Sequence, residues 1–363
     1  MNKQILLLSL SVLGLLACKK DNPPPANPNP QPQALYFPPV GSTAWEVTTP
    51  ASLNWNTAAL NDLDNFLREK NTRAFIILKN GRIVSERYFG TFTADSLWYW
   101  ASAGKTLTAF IVGIAQQEGL LSISHSTSQY LGSGWTNMPV DKENLITIRH
   151  QLTMTTGLDN NVPNDNCTLS ACLQYRADAG TRWFYHNAPY TLLEKVVSNA
   201  SNRTYNQYFQ EKVRNRIGMN GVWIDNNFNN VFYSNARSMA RFGLLLLSKG
   251  KWDQTPILAD TNYFNGIITP SQALNRSYGY LTWLNGQTSH MLPTTSFVFN
   301  GMLNPNAPAD MYAALGKNDQ KIYVVPSQQL VVIRMGDSAG NVQLAASSFD
   351  TELWGKLKTI IGY

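Results

Sequence analysis

The clearest hydrophobic pattern in the chain is an apolar stripe that begins just after residue 105. Its positions recur every three or four residues, as on one face of an α-helix, and are Leu107, Phe110, Ile111, Ile114 and Ala115. Ser102 and Lys105 come immediately before this stripe. We therefore predict a core helix whose first turn carries a hydroxyl and an amine.

The other apolar runs place strands towards both ends of the chain. An Asn80-Gly81 turn between two such runs is a strong hairpin signal. The pattern predicts strands at 75–78, 82–88, 311–315, 321–325 and 330–334, and helices at 60–70 and 349–361. This order predicts an α/β protein of the α+β type, with an antiparallel β-sheet built from both ends of the chain and flanked by helices. A mostly helical region, at about 115–270, is inserted between them.

The N-terminus has a lysine at position 3, an apolar stretch and the ending Leu15-Leu16-Ala17-Cys18. It resembles a bacterial lipoprotein signal peptide, which is cleaved before a cysteine that becomes lipidated. A short membrane helix is the alternative, but the apolar stretch is shorter than the roughly 20 residues a span needs. We expect residues 1–18 to be this signal and Cys18 to anchor an exported protein in a membrane, in the periplasm or at the cell surface.

Residues 19–39 are rich in Pro and Asn, a composition that favours an extended tether over a packed structure. The folded domain is therefore expected at 40–363. If Cys18 is lipidated, Cys167 and Cys172 remain, close together in a polar stretch. In an oxidising compartment they are candidates for a small local disulfide.

Charge and histidine spacing narrow the range of partners. The formal net charge is +6, but the Lys and Arg residues are scattered, which argues against a nucleic-acid partner. The histidines lie far apart in the sequence and no metal-binding motif occurs; they are His125, His150, His186 and His290. We expect a monomer that acts on a small molecule without a metal or other cofactor.

The most direct chemical signal is the pair Ser102 and Lys105. A serine three residues ahead of a lysine on a helix places both side chains on one face, where the amine can take the hydroxyl proton. Burial disfavours the charged amine, so Lys105 is predicted to be neutral near pH 7, as a general base must be. A second such spacing, Ser248 to Lys251, follows an apolar helix and contains Gly250, which indicates a solvated helix end.

A second candidate cluster is Tyr185-His186-Asn187. A tyrosine oxygen near a serine and a lysine can relay a proton, and an amide can hold a substrate carbonyl or orient the lysine. The triplet also has a structural interpretation, in which Asn187 caps a helix that begins near Ala188 and Tyr185 is a core aromatic.

Together these motifs resemble the serine β-lactamase and penicillin-binding superfamily. They resemble most its class C β-lactamase-related branch, which also holds esterases, D-amino-acid peptidases and 6-aminohexanoate-dimer hydrolases. Besides the serine–lysine and tyrosine–asparagine pairs, residues 148–158 resemble the family's "LLTMTSGL" segment, and residues 314–326 resemble its last active-site strand. The resemblance implies a β-lactamase/transpeptidase-like fold over nearly the whole mature chain.

The resemblance also implies roles for individual residues. Ser102 would be the acylated nucleophile, Lys105 and Tyr185 would share the acid and base work, and Asn187 would contact the substrate or Lys105. The expected function is that of a serine hydrolase, an esterase or amidase, that cleaves a small ester or amide through an acyl-enzyme.

By the same resemblance, the oxyanion hole would consist of the backbone N–H groups of Ser102 and Lys317, the residue after Gly316. One departure is Ala314-Leu315-Gly316 in place of the Lys-Thr-Gly with which β-lactamases grip a carboxylate. This favours neutral esters or amides over penicillins. A second departure is Asp319, where the related hydrolases have glycine.

Three alternatives remain open at this stage. The protein could be a β-lactamase or a D-Ala-type peptidase of the same fold, or a non-catalytic binding module anchored at the surface.

An α/β-hydrolase is excluded by the order of residues along the chain. Residues 336–340 match the GxSxG elbow of that fold, but the fold needs a histidine after the serine, and the last histidine of this chain, His290, comes before Ser338.

Overall fold

The described part of the chain, residues 34–341 and 346–363 of a computed structural model, is organised around an antiparallel sheet. The expected signal peptide, Cys18 and most of the expected tether lie outside the described residues. The strands are β1 (Thr72–Lys79), β2 (Arg82–Tyr88), β3 (Trp98–Tyr99), β4 (Val222–Asn226), β5 (Asn229–Ser234), β6 (Lys251–Trp252), β7 (Thr255–Pro256), β8 (Trp283–Leu284), β9 (Ser289–Met291), β10 (Val298–Asn300), β11 (Tyr312–Gly316), β12 (Gln320–Val325) and β13 (Leu330–Gly336).

The main sheet joins the two ends of the chain, as predicted. Its strand order is β2-β1-β13-β12-β11-β8. In the central register Ile76 lies opposite Ile333, which in turn lies opposite Ile322 on the next strand. All three side chains are fully buried, so β-branched residues fill both the strands and the core between the layers.

The helices are α1 (Leu60–Glu69), α2 (Gly104–Gln117), α3 (Ser128–Leu131), α4 (Val140–Glu143), α5 (Ile148–Leu152), α6 (Asn187–Thr191), α7 (Leu193–Ser201), α8 (Tyr205–Phe209), α9 (Asn215–Ile217), α10 (Ala236–Leu247), α11 (Thr261–Ile268) and α12 (Ser348–Ile361). Helix α10 packs against β12 and β13. Helices α1 and α12 pack together, and the rings of Phe66 and Phe349 stack with centroids 5.6 Å apart. Within the described residues, none of these helices has the length and hydropathy needed to cross a bilayer.

The inserted region is less purely helical than the sequence pattern suggests. Strands β4 and β5 form a hairpin, and β3 joins it in the order β3-β5-β4. The hairpin was missed although Val222-Trp223-Ile224 and Val231-Phe232-Tyr233 are apolar. The buried positions of β5 are Asn230, Phe232 and Ser234, so its sequence does not alternate between apolar and polar residues. This small sheet positions the turn that carries Ser102, because Trp100, the residue before that turn, donates its backbone N–H to the carbonyl of Phe232 at 2.8 Å.

The folded unit begins at Leu35. The backbone N–H of Tyr36 donates to the carbonyl of Asn80 at 3.0 Å, and the ring of Phe37 packs edge-on against Trp252, with centroids 5.3 Å apart. Residues 35–39 are therefore part of the folded unit, and three of them, Leu35, Tyr36 and Phe37, are hydrophobic, unlike the Pro- and Asn-rich residues before them.

Candidate active site

Ser102 lies in a single 3-10 turn, Ala101–Ala103, that leads directly into α2. Ala101 has a φ of +47°, in the left-handed region, which costs a non-glycine residue about 1–2 kcal/mol. The buried Trp100 holds the turn in place, because its indole N–H donates to the hydroxyl of Ser234 at 2.8 Å. The turn thus presents the Ser102 hydroxyl at the start of a buried helix.

Lys105 meets Ser102 as the sequence predicts. Its Nζ lies 2.9 Å from the Ser102 Oγ and donates a hydrogen bond to it. The side chain is buried, and this burial lowers the pKa of Lys105 to about 7, although the nearby Asp165 carboxylate acts in the opposite direction. A substantial fraction of Lys105 is therefore neutral at neutral pH.

Two tyrosine rings enclose the Lys105 amine. Its Nζ lies 4.0 Å from the ring centroid of Tyr190 and 5.0 Å from that of Tyr185. Aromatic faces attract a cation and exclude water, so they stabilise a protonated lysine while desolvating it. The aromatic enclosure thus holds the amine against the serine.

The phenol of Tyr185 is buried and has no hydrogen-bond partner among the residues that the structure describes. Burial raises the pKa of Tyr185 above its ordinary value, and the neighbouring Ser102 hydroxyl partly offsets this effect. The two oxygens are thus close enough to interact, but their geometry falls short of a hydrogen bond. Tyr185 therefore holds its proton at neutral pH and is placed to donate it.

Asn187 does not bond to Lys105 in the structure. It is the first residue of α6, and its Nδ2 donates to the Oδ1 of Asn166 at 2.8 Å. The Nδ2 of Asn166 in turn donates to the Oδ1 of Asp165 at 3.0 Å. The hydrogen bonds fix the orientation of both amides, and the Oδ1 of Asn187 is left buried without a partner.

A disulfide lies directly after Asp165 and Asn166 in the chain. Cys167 and Cys172 are bonded, with an S–S distance of 2.05 Å. The carbonyl of Asp165 also accepts the backbone N–H of Ala188, at 3.3 Å, and this bond ties the segment before the disulfide to α6. That segment therefore contributes one carboxylate and one amide to the surroundings of Lys105.

The end of β11 approaches the Ser102 turn closely. A Cβ at Gly316 would lie 2.4 Å from the carbonyl oxygen of Trp100 and 3.0 Å from the backbone nitrogen of Ala103. Only glycine allows this contact, which brings the following residue, Lys317, to the edge of the same cavity. The backbone groups expected to form the oxyanion hole thus come from adjacent segments.

A buried guanidinium, that of Arg334, fixes the backbone of the turn after Gly316. Arg334 donates to the carbonyls of Asn318 at 2.9 Å and Asp319 at 3.0 Å. The side chain of Gln320 donates to the Asn318 carbonyl as well, at 2.8 Å. These bonds fix the backbone that carries Lys317.

The structure explains how Asp319 can occupy a position where the related hydrolases have glycine. Its φ of +59° lies in the left-handed region, which glycine enters freely and aspartate tolerates better than most residues. Its carboxylate lies 3.2 Å from Lys321 and accepts hydrogen bonds from the Ser347 hydroxyl, at 2.6 Å, and the Ala339 N–H, at 3.1 Å. Aspartate thus keeps the turn and adds a buried ion pair to it.

These residues surround a cavity of about 420 Å³. Its lining is polar and carries several asparagines: Ala101, Ser102, Lys105, Asn166, Asn187, Tyr190, Asn226, Asn229, Asn230, Val231 and Lys317. The cavity holds the candidate nucleophile, the amine and the Lys317 segment, while Tyr185 lies buried behind it. Every residue proposed for the site on the basis of sequence therefore lies in or directly beside one cleft.

Several residues of this site were not identified from the sequence. Tyr190 lies one helical turn after Asn187, and that spacing was the available signal for it. Asn226, Asn229 and Asn230 stand out only as an asparagine-rich run at a hairpin tip. Asn166 could not have been assigned, because its place depends on the path of the segment before the disulfide.

The other chemical groups considered in the sequence analysis are His186, Ser338 and possible metal ligands. Burial lowers the pKa of His186 to about 4, so this histidine is neutral and not a physiological proton donor. Ser338 of the GxSxG match donates to the carbonyl of Gly340 at 2.6 Å, and no histidine accompanies it. Within the described ranges, no group of three or more His, Cys, Asp or Glu side chains could hold a metal ion.

Residues 63–349 match the beta-lactamase family, so the chain belongs to that family. Fold and family together support a serine hydrolase. Curated proteins give no significant sequence match.

Similar folds occur among solved structures. One, from Bacteroides dorei and provisionally assigned as a beta-lactamase, has 16% identity and a TM-score of 0.68, covering 85% of this chain and 100% of that one. Another, from Bacillus anthracis and provisionally assigned as a 6-aminohexanoate-dimer hydrolase, has 17% identity and a TM-score of 0.64, covering 81% of each chain. A beta-lactamase/D-alanine carboxypeptidase from Pseudomonas syringae has 14% identity and a TM-score of 0.61, covering 86% of this chain and 99% of that one. At these identities the likeness concerns the fold alone.

Proposed function

We propose that the protein is a serine hydrolase that cleaves a small ester or amide through an acyl-enzyme on Ser102. The observation that carries this proposal is the 2.9 Å contact between the Lys105 amine and the Ser102 hydroxyl in a buried site. A lysine with a pKa of about 7 can act as a general base near neutral pH.

In the proposed acylation step, neutral Lys105 takes the proton of Ser102 as the serine oxygen attacks the substrate carbonyl. The backbone N–H groups of Ser102 and Lys317 stabilise the negative oxygen that develops. The tetrahedral intermediate collapses, and the leaving group takes the phenolic proton of Tyr185. The Lys105 ammonium then returns its proton to Tyr185, so that no net charge is created.

In deacylation Lys105 is again the base, and water takes the place of the serine hydroxyl as the attacking group. Neutral Lys105 takes a proton from the water as its oxygen attacks the acyl carbon, and the Lys105 ammonium then returns this proton to the Ser102 oxygen as the ester bond breaks. The fixed dipoles of the oxyanion hole serve both steps.

The replacement of Lys-Thr-Gly by Ala314-Leu315-Gly316 supports a preference for neutral substrates. The first two of these side chains are buried and apolar, so this strand offers no cation or hydroxyl for a substrate carboxylate. We therefore propose esters or amides without that carboxylate as substrates, and weak turnover of penicillin-type compounds.

The test is turnover of a panel of p-nitrophenyl esters, D-amino-acid amides, linear amide oligomers and nitrocefin by the wild type and by Ser102→Ala. We expect turnover of esters or amides that the substitution abolishes. Nitrocefin as the sole substrate would contradict the argument from the missing cation. Turnover of nothing in the panel, with no covalent labelling, would favour a binding module instead.

A further inference from the structure

One wall of the cavity is formed by the tip of the β4–β5 hairpin, residues 226–230. Asn226 ends β4 and lies directly opposite Asn229, which begins β5. Both asparagines line the cavity together with Ser102. The wall beside the candidate nucleophile is therefore built from backbone-paired asparagines.

The side-chain amides of Asn226 and Asn229 are not used to hold the fold together. The Asn229 side chain makes no hydrogen bond to any residue that the structure describes. Asn226 makes only one long contact, in which its Oδ1 accepts from the Nδ2 of Asn227 at 3.5 Å. Asn230 differs, because its Nδ2 donates to the buried Glu194 and anchors the strand. Asn226 and Asn229 thus keep their hydrogen-bonding capacity for a ligand.

The chemistry of these amides defines what they can recognise. Each side chain offers an N–H donor and a carbonyl acceptor side by side, and is uncharged. The complementary group also has a donor next to an acceptor, as a secondary amide or a vicinal diol does. An alkyl chain in the same place would remove water from the amides without replacing its hydrogen bonds, which disfavours binding.

We propose that the hairpin tip, through Asn226 and Asn229, selects substrates that carry a secondary amide or a vicinal diol near the scissile bond. This inference rests on the proposed function and gives its substrate class. It predicts that the enzyme prefers polar esters over aliphatic esters of equal size.

Two matched substrate series test the proposal. In the first, the acetyl group is constant and the alcohol varies: cyclohexylmethyl acetate, methyl 6-O-acetylglucopyranoside and the methylamide of O-acetyl-N-acetylserine. All three form the same acetyl-enzyme, so differences in kcat/KM report recognition of the alcohol. In the second, p-nitrophenyl pentanoate is compared with p-nitrophenyl N-acetylglycinate, which places an amide in an acyl chain of equal length. Each rate is divided by that of alkaline hydrolysis.

We expect at least one polar ester to exceed its apolar partner in normalised kcat/KM by about tenfold or more. A preference for the sugar ester alone identifies the diol, and a preference for the serine or glycine derivative identifies the amide. Asn226→Leu and Asn229→Leu should each reduce the preference several-fold. The matched control is Asn265→Leu, on the exposed face of α11, which should retain it.

The outcomes separate this inference from the proposed function. Ser102-dependent hydrolysis of p-nitrophenyl pentanoate without any polar preference would overturn the inference and leave the serine hydrolase in place. A polar preference that survives both hairpin substitutions would also overturn it. If no ester in either series is cleaved in a Ser102-dependent way, the proposed function itself fails.

Discussion

The Nζ of Lys105 lies over the ring of Tyr190, 4.0 Å from its centroid. This contact has two opposing effects on the lysine. The ring helps to exclude water, which favours the neutral amine, whereas its negative face attracts the ammonium form. Burial dominates overall, since the pKa of Lys105 falls to about 7.

Replacing Tyr190 should separate these effects. Tyr190→Phe keeps the ring, so the acidic limb of the pH profile of kcat/KM should stay in place. Tyr190→Leu keeps much of the apolar volume but removes the cation–π attraction, worth about 0.5–2 kcal/mol. Its acidic limb should therefore move to lower pH by about half a unit to one and a half units. An equal shift in both variants would contradict this role for the ring.

The pH dependence of the wild type follows from the state of Lys105. Since the neutral amine is the active form, kcat/KM should rise with pH and level off above about 7. Well below that pH it should fall about tenfold per unit, because the fraction of neutral Lys105 falls tenfold per unit there. Lys105→Ala should lose several orders of magnitude in turnover while its circular dichroism spectrum stays native. Near-normal turnover in that variant would refute the assignment of the base.

Tyr185→Phe tests the proposed proton donor through the leaving group. Burial raises the pKa of Tyr185, so the phenol is protonated and able to donate. A p-nitrophenolate leaves without needing that proton, whereas an alkoxide does need it. The variant should therefore lose about 10²–10⁴-fold in kcat/KM on alkyl esters and much less on p-nitrophenyl esters. Equal losses on both ester types would point to a structural role for the phenol.

Two glycine-to-alanine substitutions test the contact between β11 and the nucleophile turn. In Gly316→Ala the new Cβ would lie 2.4 Å from the Trp100 carbonyl oxygen, so strand and turn must separate. We expect a loss of at least tenfold in kcat/KM, since small displacements of catalytic groups are costly. Gly340→Ala is the control, because a Cβ added there would have no atom of the described residues within 4 Å apart from its chain neighbours. It should retain full activity, whereas activity in Gly316→Ala equal to wild type would show that the contact is dispensable.

The sequence predicted the sheet and the contact between Ser102 and Lys105 for an identifiable reason. Both depend on local patterns: the apolar spacing after Lys105 defines α2, and the runs around Ile76 and Ile333 define central strands. The β4–β5 hairpin was missed because two of the three buried positions of β5 are polar, Asn230 and Ser234, so burial there does not follow residue type. Asn166 lines the same cavity as Lys105 only because of the tertiary path of the chain. For Asp319 the sequence showed the departure, but its left-handed backbone and its ion pair with Lys321 required coordinates.

The proposed mechanism depends above all on Ser102 being the residue that becomes acylated. This can be measured by mass spectrometry of the protein after reaction with a fluorophosphonate probe, followed by mapping of the modified peptide. We expect one adduct per chain, on Ser102, formed more slowly as the pH falls below about 7. An adduct on another residue, or equal labelling of Ser102→Ala, would contradict the mechanism.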